Sequence, residues 1–491
     1  MNGNFLFNMD NGRDMVYVRE MVELKKIRLI GPTSAVVGLF NGPAWYYLLA
    51  IPYVISNGDP YAAILMEVIF WVIGGIFLLK LVSRFGVWAT SLAGCLWVAS
   101  NYIYLATLYA FNPNPVVLLT PVLIYLIEKY ITSGEFIFGA LMFFLSGLFF
   151  NFEMNFGIFM PLIILVTVFL SKKKLLRKRS FWLSSLFFAA CLLPQILFEF
   201  RHDFLMTNSV VSYLSASGDT QSAGFIRRIL WIYKSYWDTL SGTLMNQYFL
   251  TFTTATLTIF YIFSFFKSRL YVNTLSSICV SFILIPFWLY VFLPVQVNPW
   301  HLGAVMVSII ILLIIIMDKF FRSGLISKLA AFILFISIIF ASVPDVIKFF
   351  TTDRKPNNDV SLFANEIAAI DFVYKKAEGK NFKVYTYLPS VYDYPYQYLF
   401  WWYGRKTYGY VPGEYVYSPN QPKYIPSQEA FQGSKDNFSG LVFLIKEPPI
   451  NEPRKFMLRD GWEDQFKNME RLSKEMVGPI EVDIRREVTP L

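Results

Sequence analysis

Ser171-Lys-Lys-Lys-Leu-Leu-Arg-Lys-Arg179 joins two apolar runs, at 157–170 and 181–200. Six of its eight residues at 172–179 are basic, and the loop is short. A helix needs about 20 apolar residues to cross a hydrocarbon core about 30 Å thick, so the flanking runs read as membrane spans. Short loops rich in Lys and Arg stay in the cytoplasm. This stretch therefore indicates both the class of the chain and its orientation.

Working outward, the apolar pattern gives ten spans: about 62–80, 87–107, 115–129, 136–152, 157–170, 181–200, 249–266, 272–293, 301–317 and 326–343. Lys80, Arg84, Lys129, Lys267, Arg269, Lys319, Arg322 and Lys328 then fall on the cytoplasmic side with the basic loop. The long loop 201–248 falls outside despite Arg227, Arg228 and Lys234, and long loops follow the charge rule poorly. Ten spans leave both ends outside the cytoplasm. Residues 1–60 carry no signal peptide, so one N-terminal span is expected to be missing from this sequence.

The 491 residues are 55% hydrophobic and 16% charged, with a mean hydropathy of +0.47. Soluble domains carry roughly 25% charged residues. After Pro344 the polar residues return. The expected division is an extracytoplasmic loop region with juxtamembrane helices at 1–60, a transmembrane helical domain at 61–344 and a soluble α/β domain at 345–491. In the last, helices are expected at 358–377 and Arg454–Lys474, with strands at 382–388, 441–445 and 480–484. The aromatic stretch between Tyr385 and Tyr417 fits sugar stacking, core filling or an interface equally in kind. The net charge of +9 reflects Lys and Arg beside apolar runs, which points to topology and anionic membrane lipids rather than nucleic acid. Cys95, Cys191 and Cys279 all lie in apolar runs, so no disulfide framework is implied. Residues 221–238 mix aromatic, aliphatic and basic side chains and read as an interfacial helix, either a plain anchor or a ledge for a lipid-linked substrate.

Polar residues gather at the expected extracytoplasmic ends of spans. They are Asp10, Arg13 and Asp14; Asn112 and Asn114; Glu153 and Asn155; Glu199, Arg201, His202 and Asp203; and Asn298, Trp300 and His301. Such residues are costly near lipid, so their collection describes a cavity opening at one membrane face. Each also has a structural reading. Asp10 opens a helical pattern running to about Leu24 and suits an N-cap. Arg201-His202-Asp203 suits an interfacial anchor, Glu153 a structural pair, and Trp300-His301 an interfacial aromatic pair. Tyr46–Tyr53 is expected to be re-entrant or in-plane, ended by Pro52. Two histidines exclude a His-rich zinc site. An oxygen-ligated Mg²⁺ or Mn²⁺ is compatible with the residue types but not indicated, and its ligands are unassigned.

Asp10-Asn-Gly-Arg13-Asp14, then Gly31-Pro32, Asn41-Gly-Pro-Ala-Trp-Tyr-Tyr-Leu and Asn112-Pro-Asn114, resemble the family 39 type of membrane glycosyltransferase. That family includes protein O-mannosyltransferases and aminoarabinose transferases, and it shares the GT-C fold. The resemblance spans most of residues 5–343, with its sharp motifs in 5–50. It implies transfer of a sugar from a polyprenyl phosphate to a cell-envelope acceptor outside the cytoplasm of a multi-pass cell-membrane protein. It implies Asp10 as general base. The sequence departs from the family in its missing first span, in Asn where many relatives have an acid near 112 and 114, and in lacking a Lys at Asn41-Gly42.

The chemistry asks for one essential carboxylate. A polyprenyl phosphate leaves as a stabilised anion and needs positive charge rather than an acid. The acceptor hydroxyl needs a base within hydrogen-bond reach. Candidate catalytic residues are Asp10, Asp14 and Glu153; candidate phosphate ligands are Arg13, Arg201 and His202; Asn112, Asn114, Trp300 and His301 are candidates for the acceptor cavity. A transporter or flippase of lipid-linked sugars, or a non-catalytic binder of them, stays open as the alternative. A transporter more often shows mid-membrane charges and repeated halves.

Overall fold

Long apolar runs leave no water to satisfy backbone polar groups, so helices are expected wherever the chain crosses lipid. The computed structural model describes residues 3–34, 36–216, 224–268, 273–293, 295–351, 357–388, 392–419, 424–447 and 459–487. Its helices are α1 Met9–Glu23, α2 Ala44–Ser56, α3 Pro60–Val82, α4 Val87–Ala99, α5 Asn101–Leu105, α6 Asn114–Ser133, α7 Phe136–Phe152, α8 Met154–Gly157, α9 Met160–Lys172 and α10 Arg179–Arg201. They continue as α11 Leu205–Ala216, α12 Phe225–Thr243, α13 Tyr248–Lys267, α14 Thr274–Phe292, α15 Gly303–Phe321 and α16 Leu325–Thr351. The C-terminal part adds α17 Phe363–Ala377, β1 Asn381–Tyr387, α18 Tyr394–Tyr403, β2 Glu414–Val416, β3 Phe438–Lys446, α19 Arg459–Glu463, β4 Glu470–Val477 and β5 Ile480–Arg486.

The chain divides into two compact units. One comprises Met1–Lys26, Leu49–Ala63 and Phe349–Leu491; the other comprises Ile27–Leu48 and Ile64–Lys348.

Among the described residues, eight helices are long and apolar enough to span a membrane: Pro60–Phe85, Asn114–Ser133, Met154–Arg177, Arg179–Arg201, Tyr248–Lys267, Thr274–Phe292, Pro299–Phe321 and Leu325–Lys348. Two of the ten expected spans differ. The run at 87–107 breaks at Ser100, whose hydroxyl accepts the Ile103 N–H at 3.3 Å and starts α5 afresh. The run at 136–152 is a single 17-residue apolar helix, α7, at the short end of the length that crosses a hydrocarbon core and not among those eight. Pro52 lies inside α2 rather than ending it. The expected interfacial segment is α12, displaced to 225–243, while 221–223 lie outside the described residues. Its Arg228 guanidinium donates to the carbonyls of Tyr290, Leu293 and Val295 at 2.5–3.1 Å, which ties down the chain leaving α14. Bidentate Arg84–Glu128 bonds of 2.6 Å join the end of α3 to α6.

The other unit is built on a five-stranded sheet of order β2-β1-β3-β5-β4. β1 pairs in parallel with β2 and β3, and β5 pairs antiparallel with β3 and β4. Val442, Phe443, Leu444 and Ile445 of central β3 are all fully buried, as a strand covered on both faces should be. One face packs Tyr385, Tyr387, Tyr417, Val442, Leu444, Trp462 and Phe466. On the other, Tyr374 of α17 meets Phe382, which meets Phe443. The strands expected at 382–388, 441–445 and 480–484 are β1, β3 and β5. The helix expected over Arg454–Lys474 is corrected: residues 454–458 are outside the described residues, α19 is only five residues long, and 470–474 belong to β4. The alternating exposure of β4 shows the period of two of an edge strand, masked in sequence by its charges.

Asp393, beside α18, is buried, with Oδ2 accepting from Thr386 Oγ1 at 2.9 Å and Gln397 Nε2 at 3.1 Å. Burial pushes its carboxyl up to about 7 from the ordinary 3.8, against the pull of those two bonds. The folded state thus favours the protonated acid, and ionisation costs stability progressively as pH rises from about 4 to 7. Asp393→Asn should match the parent's thermal stability at pH 4 and exceed it increasingly towards pH 7, by up to about 4 kcal/mol, with a plateau beyond. A pH-independent difference in Tm would contradict this.

Candidate functional site

Two clusters hold most of the sequence-derived candidates. The first is the opening of α1. Asn8, not Asp10, is the N-cap: its Oδ1 accepts from the backbone N–H groups of Asp10 at 3.0 Å and Asn11 at 3.4 Å. Asn11 Oδ1 accepts the Asn8 N–H at 3.2 Å, completing a capping box. Relieved of capping, the Asp10 side chain is one-third exposed and binds Arg13 Nη1 at 2.8 Å. Asp14 is buried and takes Nε and Nη2 of the same guanidinium, both at 2.9 Å. One buried Arg13 fork thus holds two carboxylates, one sealed and one facing out. The spacing i, i+3 and i, i+4 places Asp10, Arg13 and Asp14 on one helix face.

Gly12 lets this face approach α18. A Cβ there would lie 2.4 Å from the Pro395 nitrogen and 2.6 Å from the Tyr394 carbonyl carbon, both backbone. Two turns on, the fully buried Arg19 donates to the Gln397 carbonyl at 3.0 Å and lies 3.9 Å over the Phe431 ring. Burial lowers its pKa. Sequence reading missed Arg19, because nothing in a polar helical position signals that a later segment covers it.

The second cluster is at the junction of α7 and α8. Glu153 ends α7 and caps α8, its Oε1 accepting both the backbone N–H and the Nδ2 of Asn155 at 3.1 Å. His301 Nε2 lies 3.8 Å from the same Oε1 and 3.3 Å from Asn155 Nδ2. His301 Nδ1 accepts the Asn298 N–H at 3.3 Å, closing a capping box on the turn Pro299–Leu302. Glu153 lies between the helices 136–152 and 154–177, and burial pushes it up to about 7, opposed by the two Asn155 bonds. Tyr290 supports Asn155 by donating to its carbonyl at 3.2 Å.

Asn112 and Asn114 belong to the surroundings of this junction, with their amides committed to backbone. Asn112 Nδ2 donates to Phe152 O at 2.6 Å; Asn114 Nδ2 donates to Ala106 O at 3.0 Å and Tyr109 O at 2.8 Å. Trp300 packs edge-on against Phe111 and His301 and stays partly exposed. The Asn41-Gly42 motif serves the same junction. Asn41 Oδ1 accepts the Met154 N–H at 3.1 Å, and its backbone pairs with Gly31 and Pro32 at 2.8 and 2.9 Å.

Arg201 and His202 stand at the end of α10. The Arg201 side chain is exposed and makes no hydrogen bond or ion pair among the described residues. His202 stacks on Phe198 at 4.0 Å and donates Nδ1–H to the Phe198 carbonyl at 2.9 Å. Its Nε2 donates only when the ring is protonated. Glu199 is occupied by Met206 N at 2.8 Å and Thr207 N at 2.9 Å. Among the described residues, no three His, Cys, Asp or Glu side chains come together as a metal-binding group.

Gly42 faces Asn151: an added Cβ would lie 1.9 Å from its Oδ1 and 2.8 Å from its Cβ. Asn151 Nδ2 is bound to the carbonyls of Gly147 and Cys191, both at 3.0 Å, and cannot yield cheaply. Gly42→Ala should lower thermal stability by roughly 1–3 kcal/mol. Gly94→Ala, whose Cβ would meet only Leu79 at 3.9 Å, should leave it nearly unchanged. Equal Tm values for the two variants in detergent would refute the packing account.

Residues 41–198 match the family model described as dolichyl-phosphate-mannose-protein mannosyltransferase. The structure is similar to that of ArnT from Cupriavidus metallidurans in the apo state, with a TM-score of 0.54 and 11% sequence identity, covering 98% of this chain and 94% of ArnT. No curated protein sequence matches. The chain is a multi-pass membrane protein with the GT-C fold that the opening motifs foretold.

Proposed function

We propose that this chain is a glycosyltransferase that moves one sugar from a polyprenyl phosphate to a hydroxyl of a cell-envelope acceptor, on the extracytoplasmic face of the cell membrane. The observation that carries the reading is the Asp10–Arg13–Asp14 arrangement, in which a half-open carboxylate is oriented by a buried guanidinium. The family match over residues 41–198 and the ArnT-like fold support the class of chemistry.

In the proposed step, the acceptor oxygen attacks the anomeric carbon as the bond from that carbon to the phosphate oxygen breaks. Asp10 takes the hydroxyl proton, and the polyprenyl phosphate departs with the bonding electrons. A single displacement inverts the anomeric centre. Asp14 is sealed against Arg13, so it acts by holding the guanidinium that aims Asp10. Arg13, Arg201 and His202 are the candidate cations for the phosphate; Arg201 has the most available guanidinium and His202 contributes charge only as imidazolium. Glu153, with His301 beside it, is the second-rank acid–base candidate, and Asn112, Asn114 and Trp300 shape its surroundings. A divalent cation is not required by this scheme. In the proposed topology the basic loop 172–179 is cytoplasmic, and the extracytoplasmic side carries 1–60 and the domain 345–491.

The test measures label leaving a panel of radiolabelled polyprenyl-phosphate sugars in membranes containing the chain. Asp10→Asn should cut transfer by about 10²–10⁴-fold. Asp14→Asn should reduce it less while leaving donor binding intact. Arg201→Gln should raise KM more than it lowers kcat. Full transfer in Asp10→Asn would remove Asp10 from the reaction and move the base to Glu153. Saturable donor binding without transfer in the parent would favour the binder or transporter instead.

A further inference from the structure

A cavity of about 620 Å³ lies within the unit that carries the sheet, away from the Asp10 cluster. It is lined by Val22 and Glu23 of α1, Tyr53, Val54 and Ser56 of α2 with Asn57, and Trp401, Trp402, Arg405 and Lys406. Its volume falls within the roughly 300–1,000 Å³ of small-molecule sites. The last four residues sit where α18 passes into a π-helical turn, Gly404–Tyr408. Widened turns of this kind are frequent at functional sites.

The charges in this cavity are arranged on separate supports. Arg405 lies over the Trp401 ring, 5.1 Å from its centroid, and has no carboxylate partner among the described residues. Lys406 lies 4.5 Å from the Trp402 centroid and is paired with Asp59 at 3.1 Å. Trp402 is itself fixed, donating Nε1–H to the Asn57 carbonyl at 3.2 Å. Glu23 has no cationic partner among the described residues, and its Oε1 accepts the Tyr53 hydroxyl at 2.9 Å. The indoles are 6% and 7% exposed, so they hold the cations rather than offer open faces for stacking.

An isolated phosphate at Arg405 would gain nothing from Glu23. An alkyl chain would leave Arg405 and Glu23 unanswered, whereas Ser56 Oγ already accepts the Asp59 N–H at 3.0 Å and has only a spare lone pair to offer. A ligand that satisfies both needs an oxyanion at one end and hydroxyl donors at the other. We infer that this cavity is a binding site for an anionic saccharide, a sugar phosphate or uronate, with its oxyanion on the planar Arg405 fork and its hydroxyls on Glu23 and Ser56. The site is independent of the transfer reaction proposed above.

Isothermal titration of the detergent-purified full chain with glucose 6-phosphate, glucuronate, glucose and inorganic phosphate tests this. At least one of the two anionic sugars should bind at least about tenfold more tightly than glucose and than phosphate. Arg405→Gln should weaken that binding about tenfold or more, and Arg405→Lys should restore only part. Glu23→Gln should weaken the sugar anion but not phosphate. Equal affinity for phosphate and the anionic sugars, no saturable heat, or affinity unchanged in Arg405→Gln would overturn the inference. Displacement of the sugar anion by phosphatidylglycerol nanodiscs, but not by phosphatidylcholine nanodiscs, would reassign the cavity to a lipid headgroup and also overturn it.

Discussion

Hydrocarbon offers no hydrogen-bond partner, and an irregular turn buried among the membrane helices has to find its partners within the protein. The side chains that supply them are the polar residues that stood out in the sequence. Asn114 satisfies two carbonyls of the segment before α6, Asn112 one at the end of α7, and Asn151 two more on α7 and α10. Arg228 closes three carbonyls at the end of α14 and just beyond it, those of Tyr290, Leu293 and Val295. A buried carbonyl left open would cost about 1–3 kcal/mol, so each of these residues is explained by structure before any chemistry is asked of it.

The same constraint separates the two guanidiniums of α1. Arg19 spends its charge on a backbone carbonyl and aromatic rings, deep in the unit. Arg13 spends its charge on two carboxylates, one of which remains open to solvent. A buried cation balanced by two acids is costly to assemble and is poor evidence of stability. It does fix a carboxylate in direction, which is what proton transfer requires of a base. Glu153 shows the other device: a buried acid held by one asparagine and an imidazole, without a full ion pair.

Much of the candidate constellation was legible because polar residues beside apolar runs are conspicuous. Asp10, Arg13 and Asp14 meet because helix spacing places them together, and Glu153, Asn155 and His301 meet because two span ends converge. What spacing did not reveal was how hydrogen-bond capacity is divided. Asn8 two residues upstream takes the capping role that Asp10 suits equally by type. The amides of Asn112 and Asn114 turn to backbone, and the glycine of Asn41-Gly42 is needed by Asn151, a residue 109 positions away. The helix expected across Arg454–Lys474 failed for a similar reason: pairing with β5 sets the state of β4, and a charged edge strand has no strong pattern of its own.

The sequence by itself determined the membrane class, the approximate spans, three of the five strands and the identity of the charged cluster on α1. Those follow from local hydrophobicity and periodicity, which each segment carries alone. Only the tertiary structure decided which carboxylates are sealed, which cations remain unpaired, and that Glu23, Arg405 and two indoles border one cavity. Those depend on contacts between residues hundreds of positions apart, where burial and partner geometry, not residue type, set the chemistry of each group.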